Sequence, residues 1–199
     1  MSIIMLAGKI KTGKTTIAEQ ICMLRPSFKL VSFGDILKED FANIHNLDVS
    51  VLHDVTNKET YREDLVAHAR VRRAKDRFFY ARGLFSMLDS YPEGDYVIDD
   101  LRTIEELEMG VKRGATPHKV EADDVPRKFR GWIPNPIIDE DFTEQEMQLS
   151  AQTYRVFGGT VIANNSQSLE DAKNRAEALL RELERQAKSK TERALSLAL

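Results

Sequence analysis

Gly8-Lys9-Ile10-Lys11-Thr12-Gly13-Lys14-Thr15 is the stretch on which the reading of this chain turns. It fits the phosphate-binding pattern G-x-x-x-x-G-K-[ST]. Before it lies the apolar run Ile3-Ile4-Met5-Leu6-Ala7, which reads as a buried strand, and after it residues 16–23 read as an amphipathic helix. Strand, loop and helix in that order are the context the pattern requires. Gly8 and Gly13 let the backbone curl until successive N–H groups point inward at phosphate oxygens. The helix that starts near Gly13 adds the positive end of its dipole. In such a loop Lys14 reaches the β- and γ-phosphates and the Thr15 hydroxyl holds Mg²⁺. Lys9, Lys11, Thr12 and Thr16 complete the expected nucleotide-binding set.

Outward from the loop, the chain keeps alternating. Residues 28–33 read as a strand, and Gly34-Asp35 opens a helix to about His45 with Ile36, Leu37, Phe41 and Ile44 on one side. Such alternation with short joints predicts a parallel α/β sheet. Residues 48–88 are helical in pattern: one helix begins at 57 and runs through Leu65, Val66 and Ala69, and a second spans 78–88. This block carries Arg62, Arg70, Arg72, Arg73, Arg77 and Arg82. A solvated face accounts for part of that charge, and a set of guanidinium forks for a second phosphorylated ligand accounts for the rest. Arg62 and Arg73 are eleven residues apart, about three helical turns, and share a face if the helix is continuous. The strand Tyr96-Val97-Ile98 ends in Asp99-Asp100-Leu101-Arg102, at the carboxyl end where ligands bind in open α/β sheets. One of the two aspartates is the expected partner of nucleotide-bound Mg²⁺. A helix follows over 103–113, then a strand over 116–121 weakened by Pro117.

Residues 123–147 show no clear period. They hold Arg127, Phe129, Arg130 and Trp132, then Ile133-Pro134-Asn135-Pro136 and the acidic Asp139-Glu140-Asp141. They read as a mobile lid. Residues 158–163 read as a last strand with Asn164 at its end, residues 169–183 as an amphipathic helix, and the tail from Lys188 as a frayed extension.

The chain has 199 residues, 42% of them hydrophobic and 31% charged, which suits a single domain. A net charge of −3 gives no reason to expect nucleic-acid binding. The single cysteine, Cys22, has no internal partner and falls on the apolar face of the first helix, which predicts a reducing, cytoplasmic setting. No apolar run approaches the ~20 residues of a membrane span, and the N-terminus enters a strand directly, so no signal peptide is expected. His45, His53, His68 and His118 show no metal-site spacing and read as surface or groove residues.

These motifs resemble the small-molecule kinases of the nucleoside-monophosphate-kinase fold, in particular the phage-type deoxynucleoside monophosphate kinases and the animal-type phosphomevalonate kinases. Gly8-Lys9-x-Lys11-x-Gly13-Lys14 looks like their G-K-x-K-S-G-K loop, and Phe33-Gly34-x-Ile36-Leu37-Lys38 is similar to their short signature after the second strand. Lys58-Glu59-x-x-Arg62-x-Asp64, Arg73 and Asp76-x-Phe78-Phe79 resemble the phosphomevalonate kinase acceptor region. Asp100-x-Arg102 matches the D-T-R motif of both groups, Arg127-x-x-Arg130-Gly131-Trp132 looks like the phosphomevalonate kinase lid, and Val161-Ile162-x-Asn164 is similar to the strand-end asparagine of both. Three positions depart from those patterns: Thr15 follows the loop lysine where relatives carry Asp, Thr103 stands in place of a second arginine, and Ala67-His68-Ala69 replaces the G-T-(D/E) of the deoxynucleotide kinases.

The resemblance implies a three-layer P-loop fold with a mostly parallel sheet of about five strands, acceptor-binding helices over 48–88 and a lid over 123–147. It implies ATP and Mg²⁺ as cofactors and a small phosphorylated substrate as partner, in a monomer or homodimer. Lys14, Asp100, Arg102 and Arg130 are the expected catalytic residues, and Lys38, Arg62, Arg73 and Arg102 the expected acceptor ligands. Asn164 joins the nucleotide set, Arg127, Arg130 and Trp132 form the lid set, and Thr15 with Asp99 or Asp100 serves the metal. The expected reaction is transfer of the ATP γ-phosphoryl group to a phosphate oxygen. A nucleoside or deoxynucleoside monophosphate is placed first as acceptor, phosphomevalonate second, and a modified pyrimidine nucleotide third. The rival from another class, a nucleotide-dependent switch, lacks its guanine motif, since Asn57-Lys58-Glu59-Thr60 has no Asp in the required place.

Overall fold

Along β1 (Ile3–Ala7) every side chain is buried, and successive residues serve opposite faces of the sheet. Ile3, Met5 and Ala7 pack with Phe33, Leu84, Phe85, Leu107 and Tyr154, whereas Ile4 and Leu6 pack with Ile17, Ile21, Ala176 and Leu180. A strand that feeds two cores has to be central, and β1 is hydrogen-bonded in parallel to a strand on either side. The computed structural model describes all residues except 55–56, 58–59, 135–150 and 198–199.

The other described strands are β2 (Phe28–Val31), β3 (Asp95–Leu101), β4 (Thr116–Glu121) and β5 (Val161–Ala163). They form one parallel sheet in the order β2-β3-β1-β4-β5. On one face lie α1 (Lys14–Leu24) and the long terminal helix, here α9 (Leu169–Leu197). On the other lie α2 (Phe33–His45), α5 (Phe79–Asp89), α6 (Ile104–Lys112) and α8 (Ala151–Val156). The short α3 (Val49–His53) and α4 (Arg62–Lys75) stand against α2, sharing a small core of Phe41, Ala42 and Leu52 flanked by Tyr61 and Leu65. A last short helix, α7 (Asp124–Phe129), follows β4. The three layers and the parallel sheet are those expected from the sequence.

Several boundaries differ for local reasons. The strand expected over 28–33 stops at Val31, because Ser32 caps α2 by accepting from the Asp35 amide at 3.1 Å. The helix expected from 57 begins at Arg62 and runs on to Lys75, so Arg62 and Arg73 do lie on one continuous helix. Lys58 and Glu59 lie outside the described residues. Pro117 is accommodated within β4 because the β4–β5 ladder begins only at Lys119, with its amide donating to the Thr160 carbonyl. The tail expected to fray from Lys188 is helical through Leu197.

His118 corrects the reading of the histidines as surface groups. It is 2% exposed on β4. Its Nδ1 accepts from the Thr160 amide at 3.2 Å and lies 3.0 Å from the Thr160 hydroxyl. Burial pulls its pKa down to about 4, with a smaller opposing pull from Glu182. No helix among the described residues is long and apolar enough to cross a membrane.

Candidate active site

The loop between β1 and α1 holds its shape through bonds to itself and to β5. Thr12 is buried and donates its hydroxyl to the Lys9 carbonyl at 3.0 Å, and the Asn164 side-chain amide donates to the Thr12 carbonyl at 2.7 Å. Lys14 Nζ folds over the loop, donating to the carbonyls of Gly8 and Lys9 at 2.7 and 2.9 Å. Gly8 has φ 139° and Gly13 has φ 95°. A Cβ at Gly8 would lie 2.1 Å from the Val120 carbonyl oxygen, and one at Gly13 2.3 Å from Asn164 Nδ2. Both glycines are therefore demanded by conformation and by space. Gly13 at the N-cap of α1 makes no side-chain cap, and the first turn of a helix is where backbone amides can meet an anion.

The end of β3 separates two neighbouring aspartates. Asp99 Oδ2 accepts from Thr15 Oγ1 at 2.5 Å. Asp100 turns to α2, accepting from the amides of Phe33 and Gly34 at 2.9 and 2.8 Å. Burial, with the charges of Asp99 and Glu106, pushes Asp100 up to about 7, against the pull of Arg102 and the Gly34 amide. Of the two candidate metal ligands, the structure brings Asp99 to Thr15. It uses Asp100, expected to be catalytic, to fasten the start of α2. Two hard oxygen donors side by side at the loop suit Mg²⁺, which commonly takes one or two protein oxygens and completes its shell with phosphates and water.

Lys38, Arg62, Arg73 and Arg102, the four expected acceptor ligands, line one cavity of about 130 Å³. They reach it from α2, α4 and the segment after β3. Lys38 Nζ donates to Asp35 Oδ1 at 3.1 Å and lies 3.3 Å from His53 Nδ1. Between the cations the lining is mainly apolar, built from Leu37, Leu52, Leu65, Val66 and Ala69 together with Tyr61. In the sequence Leu37, Leu65, Val66 and Ala69 read only as helix periodicity. That α3 would bring Leu52 across to α4 had no signal in local spacing.

The first part of the expected lid is ordered against the loop in the free chain. Its first residues form α7 and pack onto the phosphate-binding loop. Arg127 is 3% exposed, donates Nε to the Ile10 carbonyl at 2.9 Å and pairs with Asp124 at 2.8 Å. Its guanidinium stacks 3.8 Å from the centre of the half-buried Trp132 ring, whose Nε1 has no acceptor among the described residues. Arg130 donates to the carbonyls of Lys11 at 3.1 Å, Thr12 at 3.3 Å, Asn164 at 2.7 Å and Ser166 at 2.5 Å. Both arginines thus hold the back of the loop through its carbonyls, where the sequence reading had them meet it only through bound phosphate. Residues 135–147 of the expected lid lie outside the described residues.

Two features escaped the sequence reading. Thr103, noted there only as a missing arginine, caps α6 in a reciprocal box with Glu106. The Thr-x-x-Glu spacing was a legible signal for it. Arg72, counted among candidate ligand forks, is engaged by Asp40 through Nε at 2.8 Å and Nη2 at 2.5 Å, with His68 Nε2 2.7 Å from the same carboxylate. That cluster ties α4 to α2.

A sequence model described as phosphomevalonate kinase matches residues 6–113, more than half of the chain. A phosphomevalonate kinase of Drosophila melanogaster is 26% identical over 181 residues, covering 86% of this chain and 93% of the relative. Among solved structures, a gluconokinase from Sinorhizobium meliloti superposes with a TM-score of 0.55 at 14% identity, covering 96% of this chain and 97% of that one. A sugar kinase from Janibacter gives 0.54 at 14% identity, covering 91% and 95%. At such identities the structural matches speak for the fold alone.

Proposed function

The chain belongs to the phosphomevalonate kinase family, and from that premise we propose that this ATP-dependent small-molecule kinase phosphorylates phosphomevalonate. A phosphate oxygen of the acceptor attacks the γ-phosphorus of ATP. The bond from that phosphorus to the bridging oxygen breaks, leaving ADP and diphosphomevalonate.

The acceptor cavity carries the reading. Phosphomevalonate has an anionic group at each end, a phosphate and a carboxylate, joined by a short aliphatic body. Four cations around a mainly apolar lining match that distribution of charge. A nucleoside monophosphate has one anionic group and a flat polar base, for which the described lining offers, besides the cations, a single polar side chain, Tyr61. The family match and the Drosophila relative lean the same way. The acceptor placed second on sequence grounds therefore replaces the nucleotide placed first.

The nucleophile is already anionic, so no side chain has to remove a proton from it. The chain's task is positioning and charge neutralisation. Lys38, Arg62, Arg73 and Arg102 would bind and orient the acceptor. Lys14 would exchange its loop carbonyls for phosphate oxygens, and the amides at the start of α1 would hold the β-phosphate. Thr15 and Asp99 would hold Mg²⁺, which when bound screens the phosphate charges from one another. Arg127 and Arg130 would keep the loop in its cradle shape.

An ADP-release assay at saturating ATP tests the reading, with phosphomevalonate set against a panel of nucleoside and deoxynucleoside monophosphates. The expected result is a kcat/KM for phosphomevalonate at least about 10²-fold above any nucleotide, as for a site whose polar groups are left unmatched by the wrong ligand. A nucleotide preferred over phosphomevalonate would overturn it.

A further inference from the structure

Glu106 belongs to none of the ligand, metal or lid sets above, yet it touches two of the acceptor arginines. It is 2% exposed, in the first turn of α6. Its Oε2 accepts from the amides of Arg102 at 2.8 Å and Thr103 at 3.0 Å. Its Oε1 lies 3.5 Å from Arg73 Nη2. The capping box accounts for Oε2, and a neutral glutamine would serve it equally. It does not account for a negative charge at a buried position, which is costly unless paired.

Arg73 supplies the pairing. Its guanidinium also lies over the Tyr80 ring, 5.3 Å from the centroid. Tyr80 is buried and its hydroxyl has no partner among the described residues, so what it offers Arg73 is a ring face. Arg73 is thus held between a carboxylate and an aromatic face while it lines the acceptor cavity. The same carboxylate holds the backbone of Arg102, which lines that cavity from the sheet side.

We propose that Glu106 is a positioning residue for the acceptor, fixing the Arg73 guanidinium and the Arg102 backbone as one unit. An arginine left to its rotamers must be ordered by the ligand itself, which weakens binding. The inference rests on this cavity being the acceptor site.

Glu106→Gln tests it, since glutamine keeps an oxygen for the capping box and puts an uncharged amide NH2 in place of the carboxylate oxygen that faces Arg73. The KM for phosphomevalonate is expected to rise about tenfold, the scale of one charge-assisted bond. The KM for ATP and the melting temperature should stay near those of the wild type. In an Arg73→Ala background the same substitution should change the acceptor KM by less than about twofold, because the group it acts through is gone. A second readout needs no turnover: the Arg73 Nε–H resonance of the free protein should lose order in Glu106→Gln. Wild-type protein inactive on phosphomevalonate would count against the substrate assignment, leaving that resonance to decide the positioning role. An unchanged Arg73 resonance, or an acceptor KM loss equally large in the Arg73→Ala background, would overturn the proposal.

Discussion

Arg130→Ala separates two roles for one residue. A lid arginine that meets phosphate only on closure would lower kcat and leave the free protein as stable as before. The structure gives Arg130 four carbonyl partners in the free chain, two of them close, Asn164 at 2.7 Å and Ser166 at 2.5 Å, and two longer, at Lys11 and Thr12. Hydrogen bonds to a charged group contribute about 1.5–3 kcal/mol each. The side chain is half-exposed, so water recovers part of this once the arginine is gone. A net loss of about 2 kcal/mol remains. For a chain of this size that lowers the melting temperature by about 4–8 °C. Because two of the carbonyls belong to the phosphate-binding loop, the KM for ATP should rise with the loss of stability. Calorimetry of the free protein and initial-rate kinetics at varied ATP check both. An unchanged melting temperature with a reduced kcat would refute the fastening role and restore the lid reading.

Lys14→Ala should lower turnover by at least about 10²-fold, the cost of one electrostatic donor to developing charge, with an intact melting transition; near-normal turnover would remove the kinase mechanism. Gly13→Ala places a methyl 2.3 Å from Asn164 Nδ2 at φ 95°, so nucleotide affinity measured by calorimetry should fall sharply. His118 should govern part of the acid stability. The unfolded chain takes up its proton near 6.5 and the folded chain near 4, so between those values the unfolded state binds more protons and stability falls as pH is lowered. The contribution is at most about 3 kcal/mol, and urea titrations should show a shallower slope over that range in His118→Gln than in the wild type.

The phosphate-binding loop was legible because its requirements are local: two glycines at fixed spacing, a lysine and a hydroxyl between an apolar strand and a helix. That Arg62 and Arg73 meet at one cavity was legible for a similar reason, since they share a face of one helix at a separation of eleven. The roles of Asp99 and Asp100 were not, because adjacent residues on a strand point to opposite sides and the sequence does not say what stands on each. The contacts of Arg127 and Arg130 in the free chain were not legible for the same kind of reason. Their partners on the loop are main-chain carbonyls more than a hundred positions earlier, the other carbonyls of Arg130 lie more than thirty positions later, and carbonyls carry no sequence signal. Composition pointed those arginines at phosphate, and tertiary placement pointed them at the loop that would hold it.

One consequence follows from where β3 ends. Asp99 is bonded to the helix that starts the nucleotide side and Asp100 to the helix that supplies Lys38. The phosphate-binding loop and the proposed acceptor cavity therefore hang from consecutive residues of one interior strand, about 3.3 Å apart along it. The apolar lining and Arg62, by contrast, come largely from α3 and α4, which lean on α2 through Phe41, Leu65 and the Asp40–Arg72 pair. Substitutions on α3 and α4 can redraw the outline of the acceptor while the spacing at which the phosphoryl group changes hands stays fixed by the sheet. A scaffold divided in this way can exchange one small acceptor for another without re-solving the alignment of its reaction.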